Sequence, residues 1–190
     1  MIAMTVGVRR LLVGFAFFAV TATAVTAGER PETAVAPVVT GDGEYTGAPA
    51  LLADGVLPDE ETAWDCSLNV FWIDSSAAFL LDLGSVRRVD HVAVSVDNND
   101  TYRIEASTDG TTFADLAIVP ADSGRVEFGM ECFGSDVART DFLSSMAFAP
   151  REARFLRLSA IGGDGAYAAG ELQVTSMPLP AAGDSCAPAP

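Results

Sequence analysis

Apolar residues recur at every second position in short runs along this chain, and each run ends in a cluster of turn-forming residues. Val92, Val94 and Val96 oppose His91, Ala93 and Ser95, and Leu156, Leu158 and Ala160 oppose Phe155, Arg157 and Ser159. A period of two places alternate side chains on opposite faces of a strand, and no stretch sustains the 3.6-residue stripe of an amphipathic helix. The strand candidates are FLLDLG (79 to 84), VDHVAVSV (89 to 96), TYRIEAST (101 to 108), FADLAIVP (113 to 120), RVEFGMECF (125 to 133), FLRLSA (155 to 160) and ELQVTS (171 to 176). Between them stand DNND (97 to 100), TDG (108 to 110), DSG (122 to 124) and GGDG (162 to 165), all rich in residues that turn the backbone. Short strands at this spacing with almost no helix predict an all-β, antiparallel sandwich or jelly roll. The stretch 134 to 150 reads either as a loop or as a loop carrying one more strand at MAFAP.

The ends of the chain stand apart from this pattern. Arg9 and Arg10 precede the apolar run LLVGFAFFAV and the small residues TATAVTA, the order of a secretory signal, with Val25 and Ala27 at the positions a signal peptidase reads. The apolar run is about half the roughly 20 residues needed to span a bilayer, so cleavage after Ala27 is expected rather than membrane insertion. Residues 1 to 27 are then a signal peptide, 28 to 49 a linker or lead-in segment, 50 to 177 the folded domain and 178 to 190 a flexible Pro/Ala tail. The expected location is secreted or periplasmic. All 11 basic residues are arginine against 26 acidic ones, and the net charge is −15. Such a balance repels phosphate backbones and anionic membrane surfaces, which argues against nucleic acid as a partner.

Three cysteines, Cys66, Cys132 and Cys186, in an exported chain permit one disulfide and leave one thiol over. Cys66 with Cys132 is the favoured pair because Cys186 lies in the tail GDSCAPAP; pairing of Cys186 with either, or between chains, stays open. There is no CxxC pair for zinc, no GxSxG elbow, no HExxH and no P-loop. His91 is the only histidine, and its alternation with valines assigns it a structural place on a strand. The chain is therefore expected not to be an enzyme.

LLADGVLPDEETAW, FLLDLGSVRRVDHVAV, YRIEASTDGTTFADLA, REARFLRLSA and AYAAGELQV occur in that order. Together, over about residues 50 to 176, they resemble the discoidin, or coagulation factor 5/8 type C, domain, which includes galactose-binding-like carbohydrate-binding modules. The resemblance implies an eight-stranded jelly roll and a structural Ca²⁺. On this sequence the metal set maps to Asp54 in the ADG turn, Thr62 two residues before Trp64, and Glu171 in GELQV, completed by the carbonyls of Leu51, Val56 and Gly170. Calcium takes six to eight hard oxygens, and a glycine-containing loop turns its carbonyls inward while carboxylates supply charge. The Asp54 to Thr62 loop is longer than the family's usual spacing, which leaves Asp59, Glu60 or Glu61 as alternatives to Thr62.

The resemblance also implies ligand contacts from loops at one end of the sandwich. The candidates are Trp72 in NVFWID, Asn98 and Asn99 in DNND, and Tyr167 in DGAYA: aromatic faces for stacking on a sugar ring and amides for its hydroxyls. Core packing of the two aromatics and a plain hairpin turn at DNND are the competing readings. The function implied is a secreted, non-catalytic module recognising a carbohydrate or another cell-surface component. An adhesive envelope protein with protein partners and a small secreted hydrolase are the alternatives.

Overall fold

The computed structural model describes residues 37 to 74 and 76 to 179. The signal segment, the residues up to 36 and the tail from 180, with Cys186, lie outside the described residues. Among the described residues nine strands form: β1 (Val38–Asp42), β2 (Val70–Ile73), β3 (Ala78–Asp97), β4 (Thr101–Ser107), β5 (Ala114–Val119), β6 (Met130–Gly134), β7 (Leu143–Ser144), β8 (Arg151–Gly162) and β9 (Ala166–Pro178). All pairings are antiparallel except β6 with the two-residue β7. The count is thus nine rather than the eight expected.

β3 organises the molecule. Its first part, from Ala78, pairs with β1 and β8, and its second part, ending at Asp97, pairs with β9 and β6. The register slips between Asp82 and Arg87 at Gly84, whose φ of 80° suits glycine. One long strand thereby serves both layers of an antiparallel sandwich, β1–β3–β8–β4–β5 and β6–β3–β9–β2. The sequence reading divided this strand into two at Gly84; the glycine makes a bulge, and pairing resumes beyond it.

The core lies between the layers. Phe79 and Leu81 of β3 meet Leu156 and Leu158 of β8 from one side, and Val92, Val94 and Val96 meet Leu172 of β9 from the other. The alternation predicted for β8 is the alternation that is buried, whereas the last part of β3 is covered on both faces, Val92, Val94 and Val96 by the core and Ala93 by Phe142, with Ser95 buried as well. Three departures have local causes. The sheet begins at Val38, ahead of the expected start near Ala50, because β1 pairs with Ala78 to Asp82. β6 begins only at Met130, because the Glu131 carboxylate, wholly buried, accepts the single Arg125 amide with its two oxygens at 2.9 and 2.8 Å and so folds residues 125 to 129 back as a loop. Of residues 134 to 150, Gly134 ends β6, Leu143–Ser144 is the one further strand among the described residues, and MAFAP is not strand.

The favoured disulfide is not formed: Cys66 and Cys132 are free thiols. Cys132 sits on the outer side of β6, paired across the sheet with Ser95 and packed with Ala93, Phe142 and Leu57. Burial in that apolar patch pushes its thiol pKa up, the Ser95 contact working against it.

Candidate functional site

Two places assemble the residues singled out above. The first joins the turn after a 3₁₀ stretch, Pro49–Ala53, to the middle of β9. Asp54 Oδ1 accepts the Val56 amide at 2.8 Å, an Asx-type turn, while Glu171 Oε2 accepts the adjacent Gly55 amide at 3.2 Å. Stretches more than a hundred residues apart are thus tied by the Glu171 carboxylate, next to an amide that Asp54 holds within its own turn. Gly170 is the unpaired residue of a bulge between Ala169 and Glu171, and a Cβ there would lie 2.4 Å from Pro58 Cγ and 2.9 Å from Asn69 Oδ1. Only glycine fits.

Glu171 is 4 % exposed, and no basic side chain pairs with it among the described residues. Burial raises its carboxyl pKa, the Gly55 amide works against the shift, and the Asp54 charge adds to it. Two like charges side by side, each with an oxygen to spare, suit a divalent cation. The buried Asn69 Oδ1, beside Gly170, also has no hydrogen-bond partner. These residues fit a Ca²⁺. Thr62 does not join them: its carbonyl accepts Met130 N–H at 2.9 Å, which fastens it to β6 on the far side of β3. Of the alternatives, Glu61 N–H donates to the Met130 carbonyl and Glu60 pairs with Arg125, while Asp59 follows Pro58, which packs against Gly170.

The second place is the end of the sandwich where DNND meets GGDG. DNND carries the chain from β3 to β4, strands separated by β8, so it is a crossover between layers and no hairpin. Asp100 is fully buried. Its Oδ1 accepts the Asp164 amide at 3.1 Å, and its Oδ2 accepts the Tyr102 hydroxyl at 3.3 Å, which itself accepts the Ala168 amide at 3.1 Å. A Cβ on Gly163 would stand 1.7 Å from Asp100 Oδ1, so the glycine permits the closure. Asn99 Nδ2 donates to Asp164 Oδ2 at 3.0 Å on the exposed side. Burial, joined by the Asp164 charge, raises Asp97 to about 6; the Asn98 amide opposes it. Burial raises Asp100 to about 7 against the Asp164 amide, with the Asp97 and Asp164 charges adding to it.

Of the four ligand candidates, only Asn99 is exposed. Trp72 and Tyr167 face each other across β2 and β9 with ring centroids 5.8 Å apart, packed with Tyr102, and are 2 % and 5 % exposed. They are core residues, because Val70 and Trp72 share the inward phase of β2. Asn98 is buried and donates from Nδ2 to the Val126 carbonyl at 2.6 Å, pinning the loop before β6. Asp164 is exposed and central; in the sequence it is one residue of the GGDG turn, far from DNND, and nothing in the spacing marks the partnership.

No protein-family model and no curated protein matches the chain. Among solved structures, a Streptococcus pneumoniae fucose binding module is similar at 16 % identity and a TM-score of 0.51, over 74 % of this chain and 92 % of that one. The lectin domain of lectinolysin, complexed with Lewis B antigen, is similar at 14 % identity and a TM-score of 0.52, over 75 % and 94 %. The chain has the discoidin-type, galactose-binding-like fold. At these identities the likeness speaks of architecture.

Proposed function

We propose that this chain is a non-catalytic carbohydrate-binding module working outside the cytoplasm, with its glycan contacts at the DNND–GGDG end and a structural Ca²⁺ between Asp54 and Glu171. The observation that carries the reading is the exposed Asn99–Asp164 pair, an amide and a carboxylate locked together from two loops on a rigid sandwich. Such a pair offers donors and acceptors to neighbouring sugar hydroxyls without first having to be ordered. The shared architecture with a fucose binding module and a lectin domain supports it. The Arg9–Arg10, LLVGFAFFAV and TATAVTA series supports export.

Calcium would be held by the open carboxylate oxygens of Asp54 and Glu171 with the carbonyls of Leu51, Val56 and Gly170. Its charge would relieve the repulsion between the two acids and tie the 51 to 56 turn to β9. A hydrolytic reading draws on the raised Asp97 and Asp100, yet both are buried and both oxygens of Asp100 are engaged, which leaves no approach for a substrate. The reading is tested on a glycan array with the protein and with Asn99→Ala. Binding that the variant loses supports it; an empty array, or binding that the variant keeps, overturns it.

A further inference from the structure

The outer face of the β3–β9 layer is roofed by the loop before β2, through Leu57, and by the loop after β6, through Phe142. The two roofs leave a cavity of about 160 Å³ whose floor is Ala93 and Gly134, paired across the sheet. Around that floor stand His91, Gln173 and Thr175 from the strands and Asp136 and Arg139 from the loop. Arg139 is fixed in advance: its Nε donates to Asp141 Oδ1 at 3.0 Å, its Nη1 to Gln173 Oε1 at 3.2 Å, and its guanidinium lies 4.1 Å over the Phe142 ring. Asp136 uses Oδ1 to accept the Ala138 amide at 2.9 Å, which leaves Oδ2 open. Gln173 keeps its amide donors, and the imidazole of His91 makes no hydrogen bond among the described residues.

We propose that this cavity is a second ligand site, distinct from the loop end, that takes one neutral polyhydroxylated ring, either a terminal monosaccharide of a glycan or a free cyclitol. Each hydroxyl of such a ring both donates and accepts, and the lining alternates donors (Gln173 amide, Arg139) with acceptors (Asp136 Oδ2) and groups that are both (His91, Thr175). The volume is below the roughly 300–1,000 Å³ of sites for drug-sized ligands, which limits the occupant to a single ring. An anion is disfavoured because the one cation, Arg139, already sits between Asp136 and Asp141. The opposite outer face also carries a hollow, of about 270 Å³, but its polar lining is already engaged: the Arg157 guanidinium caps Phe113 at 4.1 Å and is ion-paired with Glu105.

In its ligand class this inference rests on the carbohydrate reading, and the two sites carry separate reporters. The protein is titrated with methyl β-galactoside, methyl α-fucoside and myo-inositol while the side-chain amides of Gln173 and Asn99 and the imidazole of His91 are followed by NMR. Saturable shifts at Gln173 and His91 are expected with at least one probe, the glycosides marking a glycan terminus and inositol alone a free cyclitol. His91→Leu, its fold checked in the same spectra, is expected to weaken that binding about tenfold, the loss of one hydrogen bond. Shifts confined to Asn99 overturn this site and leave the loop-end reading standing. Silence at Gln173 and His91 with every probe, or shifts that His91→Leu leaves unchanged, also overturns it.

Discussion

Replacing Asp100 by asparagine should flatten the pH dependence of folding. Asp97 and Asp100 are raised from 3.8 to about 6 and about 7. The folded state therefore holds protons that the unfolded chain releases. The stability associated with these groups is whole below pH 3.8 and is lost as pH rises through about 6 and about 7. Between pH 5 and pH 8 the linkage relation gives a loss of about 2.5 kcal/mol for Asp100 and about 1.5 kcal/mol for Asp97. At about 2–4 °C per kcal/mol for a domain of this size, the melting temperature should fall by on the order of 10 °C across that window. An asparagine keeps an acceptor for the Asp164 amide and a group able to bond the Tyr102 oxygen, yet it does not ionise.

Thermal and urea unfolding of both proteins from pH 5 to pH 8 measures the effect. The variant should keep only the Asp97 share, about 1.5 kcal/mol, and should exceed the parent in stability at pH 8. Taking the difference between the two proteins cancels every other titrating group, Glu171 included. Parallel profiles for the two, or a parent that grows more stable as pH rises from 5 to 8, would refute the claim that buried acids stitch the loop end together.

Saturating Ca²⁺ should raise the melting temperature, by about 2.7 kcal/mol of stability at a hundredfold excess over Kd, and Asp54→Asn or Glu171→Gln should abolish the rise while chelator returns the parent to its metal-free value. Gly163→Ala should cost about 1–3 kcal/mol or more, because its Cβ meets Asp100 Oδ1 at 1.7 Å; urea midpoints check this. Trp72→Ala should lose about 3–5 kcal/mol as a core truncation, whereas Asn99→Ala should leave the urea midpoint unchanged and act only on the array. Thiol labelling without reductant should find Cys132 protected in the folded protein, and both Cys66 and Cys132 reactive once it is unfolded.

Alternation foretold which face of β8 is buried, because a strand with one face in the core writes its burial into every second residue; in β3 it missed that Ala93 and Ser95 are covered too. It could not show that Ala78 to Asp97 is one strand. Gly84 has the same chemistry whether it ends a strand or bends one, and only the pairing partners on either side decide. The aromatic candidates failed for a related reason. Trp72 was weighed as a type of residue that stacks on sugars, while its phase with Val70, two positions before it, assigns it to the interior. The amide next to Asp54, that of Gly55, lies on the Glu171 carboxylate, whereas the loop between fastens Thr62 to Met130.

The loop end shows why some of a site is invisible in one dimension. DNND and GGDG each read as a polar surface turn, and separately each is. What converts them is the bend of β3: it delivers Asp97 to one layer while the next strand begins in the other, so the crossover passes directly under the β8–β9 turn. There Asp100 loses its water, and Gly163 is small enough to let it. Asp164 and Asn99 then lie outermost, held by backbone and side-chain bonds that were already made for the sake of the fold. Stitching and the proposed binding thus fall to different members of the same acidic turns, and Asp100→Asn and Asn99→Ala should separate the two: the first should move stability with pH and keep the glycan signal, and the second should do the reverse.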